Sequence, residues 1–148
     1  MNDSDFMKEA ISLAEKAEEN GEVPVGAVIV KDGKIIAKGA NKREKEKNAL
    51  AHAEIDAING ACKALGSWRL DGCELYVTLE PCPMCTGAIL ASRLSRVIFG
   101  AYDERAGACL SAVDLPEITA EKKPQIIGGY MEKECKRLLV SFFSRKRK

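Results

Sequence analysis

Hydrophobic residues recur with helical spacing in four segments of the chain. Apolar side chains at intervals of three and four predict an amphipathic helix from Asp3 to Glu19. Asp3 or Ser4 is its expected N-cap, and Asn20-Gly21 its expected end. The same spacing predicts helices from Ala51 to Leu65, from Pro83 to Ser92 and from Met131 to about Arg145.

Runs rich in β-branched residues predict the strands of a sheet. The stretch VGAVIVKDGKIIAKGAN predicts a β-hairpin, because two such runs flank Asp32-Gly33, a pair that favours a type I′ turn. Its first run is almost wholly apolar, which indicates a central strand. CELYVTL (73–79) and RVIFGAY (96–102) predict two more strands, and KPQIIGG a short fifth. The order strand, helix, strand predicts an α/β fold with a parallel crossover.

Two segments carry no predicted element. KREKEKNAL is a charged connector, and residues 104–123 form a looser stretch without a clear period.

Length and composition are those of an ordinary globular chain. It has 148 residues, 46% of them hydrophobic and 30% charged, which predicts a single domain over residues 1–148. No apolar run approaches the roughly 18 residues of a membrane span. The first 22 residues hold seven acidic side chains against two lysines, unlike a signal peptide. We therefore expect a cytoplasmic protein without membrane contact, whose six cysteines stay reduced.

The net charge of +1 conceals a basic C-terminal end. The rest of the chain holds 17 basic and 22 acidic residues, a net charge of −5. Such a basic cluster suits a phosphate backbone, although charge alone favours a solubilising tail equally. Its six members are Lys136, Arg137, Arg145, Lys146, Arg147 and Lys148, with no acidic residue among them.

Cys82 and Cys85 lie three residues apart at the start of a predicted helix, directly after Pro81. This spacing places both side chains on one face of the helix. The helix N-terminus favours thiolates, because it carries a partial positive charge. A redox pair and a metal site would both use this geometry, and two buried thiols are a third interpretation. The segment alone leaves all three open.

His52 is the only histidine in the chain, and Glu54 follows it at the start of another predicted helix. One histidine and two cysteines make three zinc ligands, and three protein ligands plus water are typical of a catalytic zinc site. Residues at i and i+2 do not share a helix face. We therefore expect two helices whose N-termini are aimed at one zinc ion, so that first-turn side chains converge beyond the helix ends.

The ligand set leaves the Glu54 carboxylate free for proton transfer. Zinc lowers the pKa of a bound water toward roughly 7, which makes a hydroxide nucleophile at neutral pH. Glu54 is expected to take the proton of that water, pass it to a ring nitrogen and then protonate departing ammonia.

The chain resembles the bacterial tRNA-specific adenosine deaminases of the cytidine deaminase superfamily. His52-Ala53-Glu54 and Pro81-Cys82-Pro83-Met84-Cys85 match the H-x-E and P-C-x-x-C signature of zinc nucleobase deaminases. The flanking stretches VPVGAVIV, AHAEIDAI, LYVTLEPCPMCTGAI and SRLSRVIFGAYD carry the likeness to the tRNA branch, which extends from about Phe6 to Phe143.

This resemblance implies a three-layer α/β/α cytidine-deaminase-like fold with a central mixed sheet of about five strands. It implies a homodimer that binds one zinc ion per chain and converts the wobble adenosine of a tRNA anticodon stem-loop to inosine. His52, Cys82 and Cys85 would hold the zinc, and Glu54 would be catalytic. The substrate-binding residues that it implies are Val23, Pro24, Asn41, Leu79, Asp103 and Phe143, together with the basic tail.

One segment departs from the family, between Leu110 and Gln125. It is short and lacks an Asn-His pair that the family often carries there. Because this region is expected near the nucleic acid, the departure bears on the substrate more than on the chemistry. The alternative function is deamination of single-stranded DNA or of a free base or nucleoside (cytidine, cytosine or guanine), although a free-base enzyme needs no basic tail.

Three other interpretations explain less of the sequence. A closed structural zinc site needs a fourth ligand, but the remaining cysteines (Cys62, Cys73, Cys109 and Cys135) form no second Cys-x-x-Cys, which favours buried free thiols. A thioredoxin-like redox protein leaves His52 and Glu54 unexplained. A catalytically silent RNA-binding protein leaves Glu54 unexplained.

Overall fold

A computed structural model describes residues 1–119 and 122–146 of the chain. Six helices and five strands are present in this part of the protein. The helices are α1 (Asp3–Glu19), α2 (Arg43–Glu46), α3 (Ala53–Leu65), α4 (Pro83–Ser92), α5 (Leu115–Thr119) and α6 (Glu132–Lys146). The strands are β1 (Gly26–Lys31), β2 (Lys34–Ala40), β3 (Cys73–Leu79), β4 (Arg96–Ala101) and β5 (Gln125–Ile127).

The five strands form one mixed sheet in the order β2-β1-β3-β4-β5. β1 lies between β2 and β3 and is antiparallel to both, whereas β3, β4 and β5 are parallel. Asp32 and Gly33 have positive φ angles of 51° and 76°, as a type I′ turn requires. The predicted hairpin, central strand and parallel crossover are therefore confirmed.

Helices cover both faces of the sheet, which confirms the predicted three-layer α/β/α fold. On one face, Phe6 and Ala10 of α1 and Cys135 of α6 pack against Val28, Tyr76 and other buried strand residues. On the other face, α3 and α4 pack against β1, β3 and β4 in a second core cluster. The two layers hold the sheet rigidly between them, so that the loops at the strand ends have fixed starting points.

The first helix has its predicted bounds, but its N-cap lies one residue before the expected one. Asn2, and not Asp3 or Ser4, is the N-cap: its side chain accepts the Asp5 amide at 3.0 Å, and the Asp5 carboxylate accepts the Asn2 amide at 2.9 Å. Asp3 is instead bound at 2.6 Å by the hydroxyl of buried Tyr76. The prediction was wrong because this long-range contact leaves no trace in local sequence.

Two short helices were not predicted, α2 and α5. α2 lies in the charged connector and buries none of its side chains, so it has no apolar period. Its first amides are bound by a distant carboxylate: Glu22, 2% exposed, accepts from Glu44 at 3.0 Å and from Lys45 at 2.8 Å. α5 buries only Pro116. Tertiary contacts hold these elements, and sequence periodicity cannot reveal them.

The basic C-terminal end is only partly described. Lys136 and Arg137 are exposed on α6, and Arg145 pairs with Glu18 of α1. Arg147 and Lys148 lie outside the described residues. Over the described part of the chain, no helix has the length and apolar character needed to cross a membrane.

Candidate metal and catalytic site

Two helices begin at one site and bring three candidate ligands together. His52 is the N-cap of α3 and Cys82 the N-cap of α4, both in extended backbone conformation. Cys85 lies one turn into α4. The His52 Nδ1 atom is 3.7 Å from the Cys82 Sγ and 3.5 Å from the Cys85 Sγ. The expected convergence beyond two helix N-termini is therefore the observed arrangement.

The chemistry of this donor set fits a zinc ion. One imidazole and two sulfur atoms lie within 4.8 Å of one another, and no other such group of three is found among residues 1–119 and 122–146. Cys85 is buried, whereas His52 and Cys82 are half-buried, so one side of the group is open. Hydrogen bonds from Cys85 and then from His52 lower the pKa of Cys82 to about 4 despite burial. Cys82 is thus a ready anionic ligand, and three donors leave a fourth position for water.

Glu54 is the second residue of α3 and is 4% exposed beside the ligand group. Burial raises the pKa of its carboxyl to about 7, and the hydrogen bond with Cys85 is among the opposing effects. A carboxyl group of this kind exchanges protons readily near neutral pH. Its carboxyl group lies two residues from His52 and hydrogen-bonds with Cys85 without belonging to the three-donor group.

The start of α3 is held against the end of β2 by a close backbone approach. A Cβ atom on Gly39 would lie 2.2 Å from the Ala53 carbonyl oxygen and 2.7 Å from the Ala57 nitrogen. Asp56 of α3 also accepts the Ala40 amide at 3.2 Å and pairs with Lys42 at 3.1 Å. These contacts fix the helix turn that carries both His52 and Glu54.

The start of α4 is connected to the loop that follows β4. Glu80, 2% exposed, accepts hydrogen bonds from the amides of Asp103 at 3.1 Å and of Leu110 and Ser111 at 2.8 Å. The Ser111 hydroxyl is a fourth donor. Burial raises the pKa of Glu80, but these hydrogen bonds outweigh burial and hold the pKa below its ordinary value.

Val23, Pro24 and Asn41, three residues predicted to bind substrate, lie next to one another. Pro24 and Asn41 are buried, and Val23 is half-buried. The Asn41 side chain donates to the Val23 carbonyl at 3.2 Å and accepts the Arg43 amide at 3.3 Å. Asn41 is therefore held rigidly where β2 ends, close to the chain that enters α3.

The other predicted substrate residues lie on three separate elements. Leu79 ends β3 and packs against both core clusters. Asp103 accepts the amides of Arg105 and Ala106, both at 3.1 Å, and so shapes its own loop. Phe143 is 45% exposed on α6 and contacts Phe142 edge-on, with ring centroids 5.3 Å apart. No contact in the described residues joins Phe143 to the ligand group.

Sequence reasoning missed three residues that organise this region: Glu22, Gly39 and Glu80. A single acidic residue in a loop has no periodic signal and suggests exposure. The one available signal was the position of Glu80 directly before Pro81 and Cys82, and no role was predicted from it.

The remaining cysteines lie outside the ligand group and are all free thiols. Burial raises the pKa of Cys109 to about 11 and of Cys135 to about 12, and it raises that of Cys73 as well. Cys62 departs from expectation because it is only half-buried, at the end of α3.

Comparison with known proteins assigns the family. The family model of MafB19-like deaminases matches residues 1–135. A tRNA-specific adenosine deaminase of Bacillus subtilis is 51% identical over 144 residues, which cover 97% of this chain and 89% of that protein. The chain belongs to the tRNA-specific adenosine deaminase family. Both the family and the α/β deaminase fold expected from the sequence are thereby confirmed.

Solved structures agree with this assignment. A structure from a study of A-to-I editing by tRNA:A34 deaminases at the wobble position is 42% identical with a TM-score of 0.87, covering 92% of this chain and 99% of that one. A Bacillus subtilis guanine deaminase is 48% identical with a TM-score of 0.67, covering 69% of this deaminase and 66% of that chain.

Gly39→Ala is expected to disturb the site through the start of α3. The added methyl group has no room against Ala53, so the free energy of unfolding falls by about 1–3 kcal/mol or more. Gly26→Ala is the matched control, because its Cβ would lie 2.0 Å from the Ala10 oxygen of α1 on the opposite face. Urea unfolding should show a loss in both variants, whereas competition with a chelator should show weakened Zn²⁺ binding only in Gly39→Ala. Equal Zn²⁺ affinity in Gly39→Ala and the parent would refute this role.

Proposed function

We propose that this deaminase converts the wobble adenosine of a tRNA anticodon loop to inosine by hydrolysis. The observation that carries the proposal is the buried Glu54 beside a His52, Cys82, Cys85 group at two converging helix starts. Family membership indicates a hydrolytic enzyme, and the Bacillus subtilis relative and the tRNA:A34 deaminase structure support adenosine in tRNA as the substrate.

In this proposal, His52, Cys82 and Cys85 hold one Zn²⁺ ion per chain. Two thiolates offset the charge of the ion, and the partial positive charges at the starts of α3 and α4 favour those thiolates. When bound, Zn²⁺ supplies the Lewis acidity that activates a water molecule near neutral pH.

Glu54 carries the protons of the reaction. Its carboxylate accepts a proton from the attacking water and delivers it to the adenine ring nitrogen next to C6. The hydroxyl group that the water leaves on C6 then gives its proton to the same carboxylate, which passes it to the amino group; the C6–N bond breaks, ammonia leaves and a C6 carbonyl remains. The position of Glu54 supports this role, because its buried carboxyl lies beside the three donors, and burial holds its pKa above the ordinary value of a glutamic acid.

Substrate binding is proposed for residues around this centre. Asn41, held by Val23 and Arg43, would contact the flipped nucleoside, with Val23, Pro24 and Leu79 beside the base. Asp103 would face the RNA backbone near its loop. Phe143 and the exposed basic residues of α6 would hold the anticodon stem-loop, since phosphate neutralisation by Lys and Arg contributes much of the affinity for nucleic acid.

Glu54→Gln should abolish editing while leaving the metal site intact. The amide cannot accept or release the proton, so the rate should fall by about 10²-fold or more. Purified protein is incubated with an anticodon stem-loop carrying adenosine at the wobble position, and inosine and bound zinc are measured. Glu15→Gln, an exposed carboxylate of α1 on the far face of the sheet, is the control and should edit like the parent.

Two outcomes would contradict the proposal. Full activity of Glu54→Gln would overturn the role of Glu54. A zinc-loaded parent that makes no inosine would overturn the tRNA substrate, and guanine, cytosine, cytidine and single-stranded DNA would then be assayed, because the chain also resembles a guanine deaminase.

We also propose that the deaminase forms a homodimer through α4. The sequence of this helix, PMCTGAILAS, has no charged residue. A helix that is apolar on every side is normally buried, yet Gly87, Ala88 and Leu90 are half-buried and Ala91 is exposed. Trp68 lies near the helix end and is 59% exposed. Its ring centroid is 5.4 Å from the guanidinium carbon of Arg69 and 5.8 Å from that of Arg93. A second copy of this face would cover these residues.

Ala91→Arg is expected to break this interface, because the dimer would bury the added charge without a partner. Light scattering after size exclusion should give twice the chain mass for the parent and one chain mass for the variant. Val140→Arg on α6, where Val140 is 59% exposed, is the control and should stay dimeric. A dimeric Ala91→Arg protein, or a monomeric parent, would refute the proposal.

Residues 1–148 are proposed to form one deaminase domain that works in the cytoplasm. One sheet with helices on both faces supports a single domain. The reducing cytoplasm would keep Cys82 and Cys85 available as ligands.

A further inference from the structure

Glu80 holds the loop after β4 against the segment that carries the cysteines. We call residues 102–111, which lead out of β4, the rim loop. The Glu80 carboxylate accepts from three rim-loop amides, at 3.1 Å from Asp103 and at 2.8 Å from Leu110 and Ser111, and from the Ser111 hydroxyl. Among the described residues, every side-chain hydrogen bond of Glu80 comes from this loop.

The rim loop closely surrounds the carboxylate. A Cβ atom on Gly107 would lie 2.4 Å from the Glu80 Cδ, so the loop backbone passes directly over the carboxyl group. The Ala108 amide donates to the Pro81 carbonyl at 2.8 Å. The hydroxyl oxygen of Thr86 in α4 lies 3.5 Å from the Cys109 Sγ atom. The loop is therefore bound to Pro81, directly before Cys82, and to Thr86, directly after Cys85.

Attaching a loop through a buried carboxylate carries a desolvation penalty. An unpaired charge is strongly disfavoured in the interior, and Glu80 at 2% exposure is stabilised only by hydrogen-bond donors. Apolar packing would anchor a loop without this penalty. The carboxylate provides directional hydrogen bonds instead. Four donors must point at its two oxygen atoms, and this requirement fixes the path of the loop backbone.

We infer that Glu80 is a positioning residue: it holds the rim loop, and with it Asp103, at a fixed place relative to the Pro81–Cys85 segment so that the RNA strand can bind beside the reactive centre. This inference rests on the proposed function. Glu80 is not one of the three donors His52, Cys82 and Cys85, and its carboxylate binds donors of the rim loop, so it acts on RNA binding and not on proton transfer.

Glu80→Gln should weaken RNA binding more than it slows the chemical step. The carboxamide nitrogen would face amide donors, so at least one hydrogen bond to a charged acceptor is lost and the loop shifts. We expect KM for the anticodon stem-loop to rise about 10- to 100-fold, with kcat changed less than about threefold and zinc still one per chain. Amide exchange should increase at residues 103 and 110–111 but not in β3.

Two further variants separate positioning from general stability. Ser111→Ala removes only the hydroxyl donor and should raise KM by a smaller factor, which keeps the inference testable if Glu80→Gln fails to fold. Glu74→Gln is the matched control, because Glu74 lies at the other end of β3 and pairs with Arg96 at 2.5 Å. It should lower stability without changing KM.

The outcomes distinguish this inference from the proposed function. If the parent makes inosine but Glu80→Gln and Ser111→Ala keep the parent KM, the positioning role is wrong and the proposed function stands. If kcat falls while KM is unchanged, Glu80 acts on the chemistry and the inference is also wrong. If the parent makes no inosine, the proposed function fails and this inference fails with it.

Discussion

The rest of the site depends on one constraint: α3 and α4 pack so that their N-termini converge. His52 and Cys82 are N-cap residues, so their side chains project past the helix ends. Gly39 lets β2 approach the first turn of α3 closely enough to fix its position. Three donor atoms within 4.8 Å follow from this packing, although His52 lies 30 residues from Cys82 in sequence.

Buried carboxylates connect this centre to the loops around it, and each one does so differently. Glu54 is buried beside the ligand group, and this burial raises its pKa to about 7. Glu22 binds the first amides of α2, next to Asn41. Glu80 binds the loop that contains Asp103. A buried carboxylate can fix the conformation of a loop, because hydrogen bonds to a carboxylate are directional and strong.

The sequence predicted those elements that depend on local pattern. α1, β3 and α4 have the predicted bounds, because their residue composition and spacing mark them locally. The ligand group was predicted from residue types and spacing, and its convergence from the positions of two helix starts. α2, α5 and the roles of Glu22, Gly39 and Glu80 were missed, because each depends on a partner distant in sequence. The Asn2 cap was missed although its partner Asp5 lies only three residues away. Glu22 meets Glu44 and Glu80 meets Ser111, and neither pair has a local signature.

X-ray absorption at the zinc edge of the purified protein tests the central claim most directly. The two helix starts provide three ligands and leave one position open, so the ion should be four-coordinate. We expect two sulfur atoms at about 2.3 Å and two nitrogen or oxygen atoms at about 2.0–2.1 Å from the zinc. Exactly one zinc ion per chain should be present, and Cys62→Ser should leave the spectrum unchanged. Three or four sulfur neighbours, or a protein that holds no zinc, would contradict the account, because a closed site or an absent ion leaves no place for an activated water.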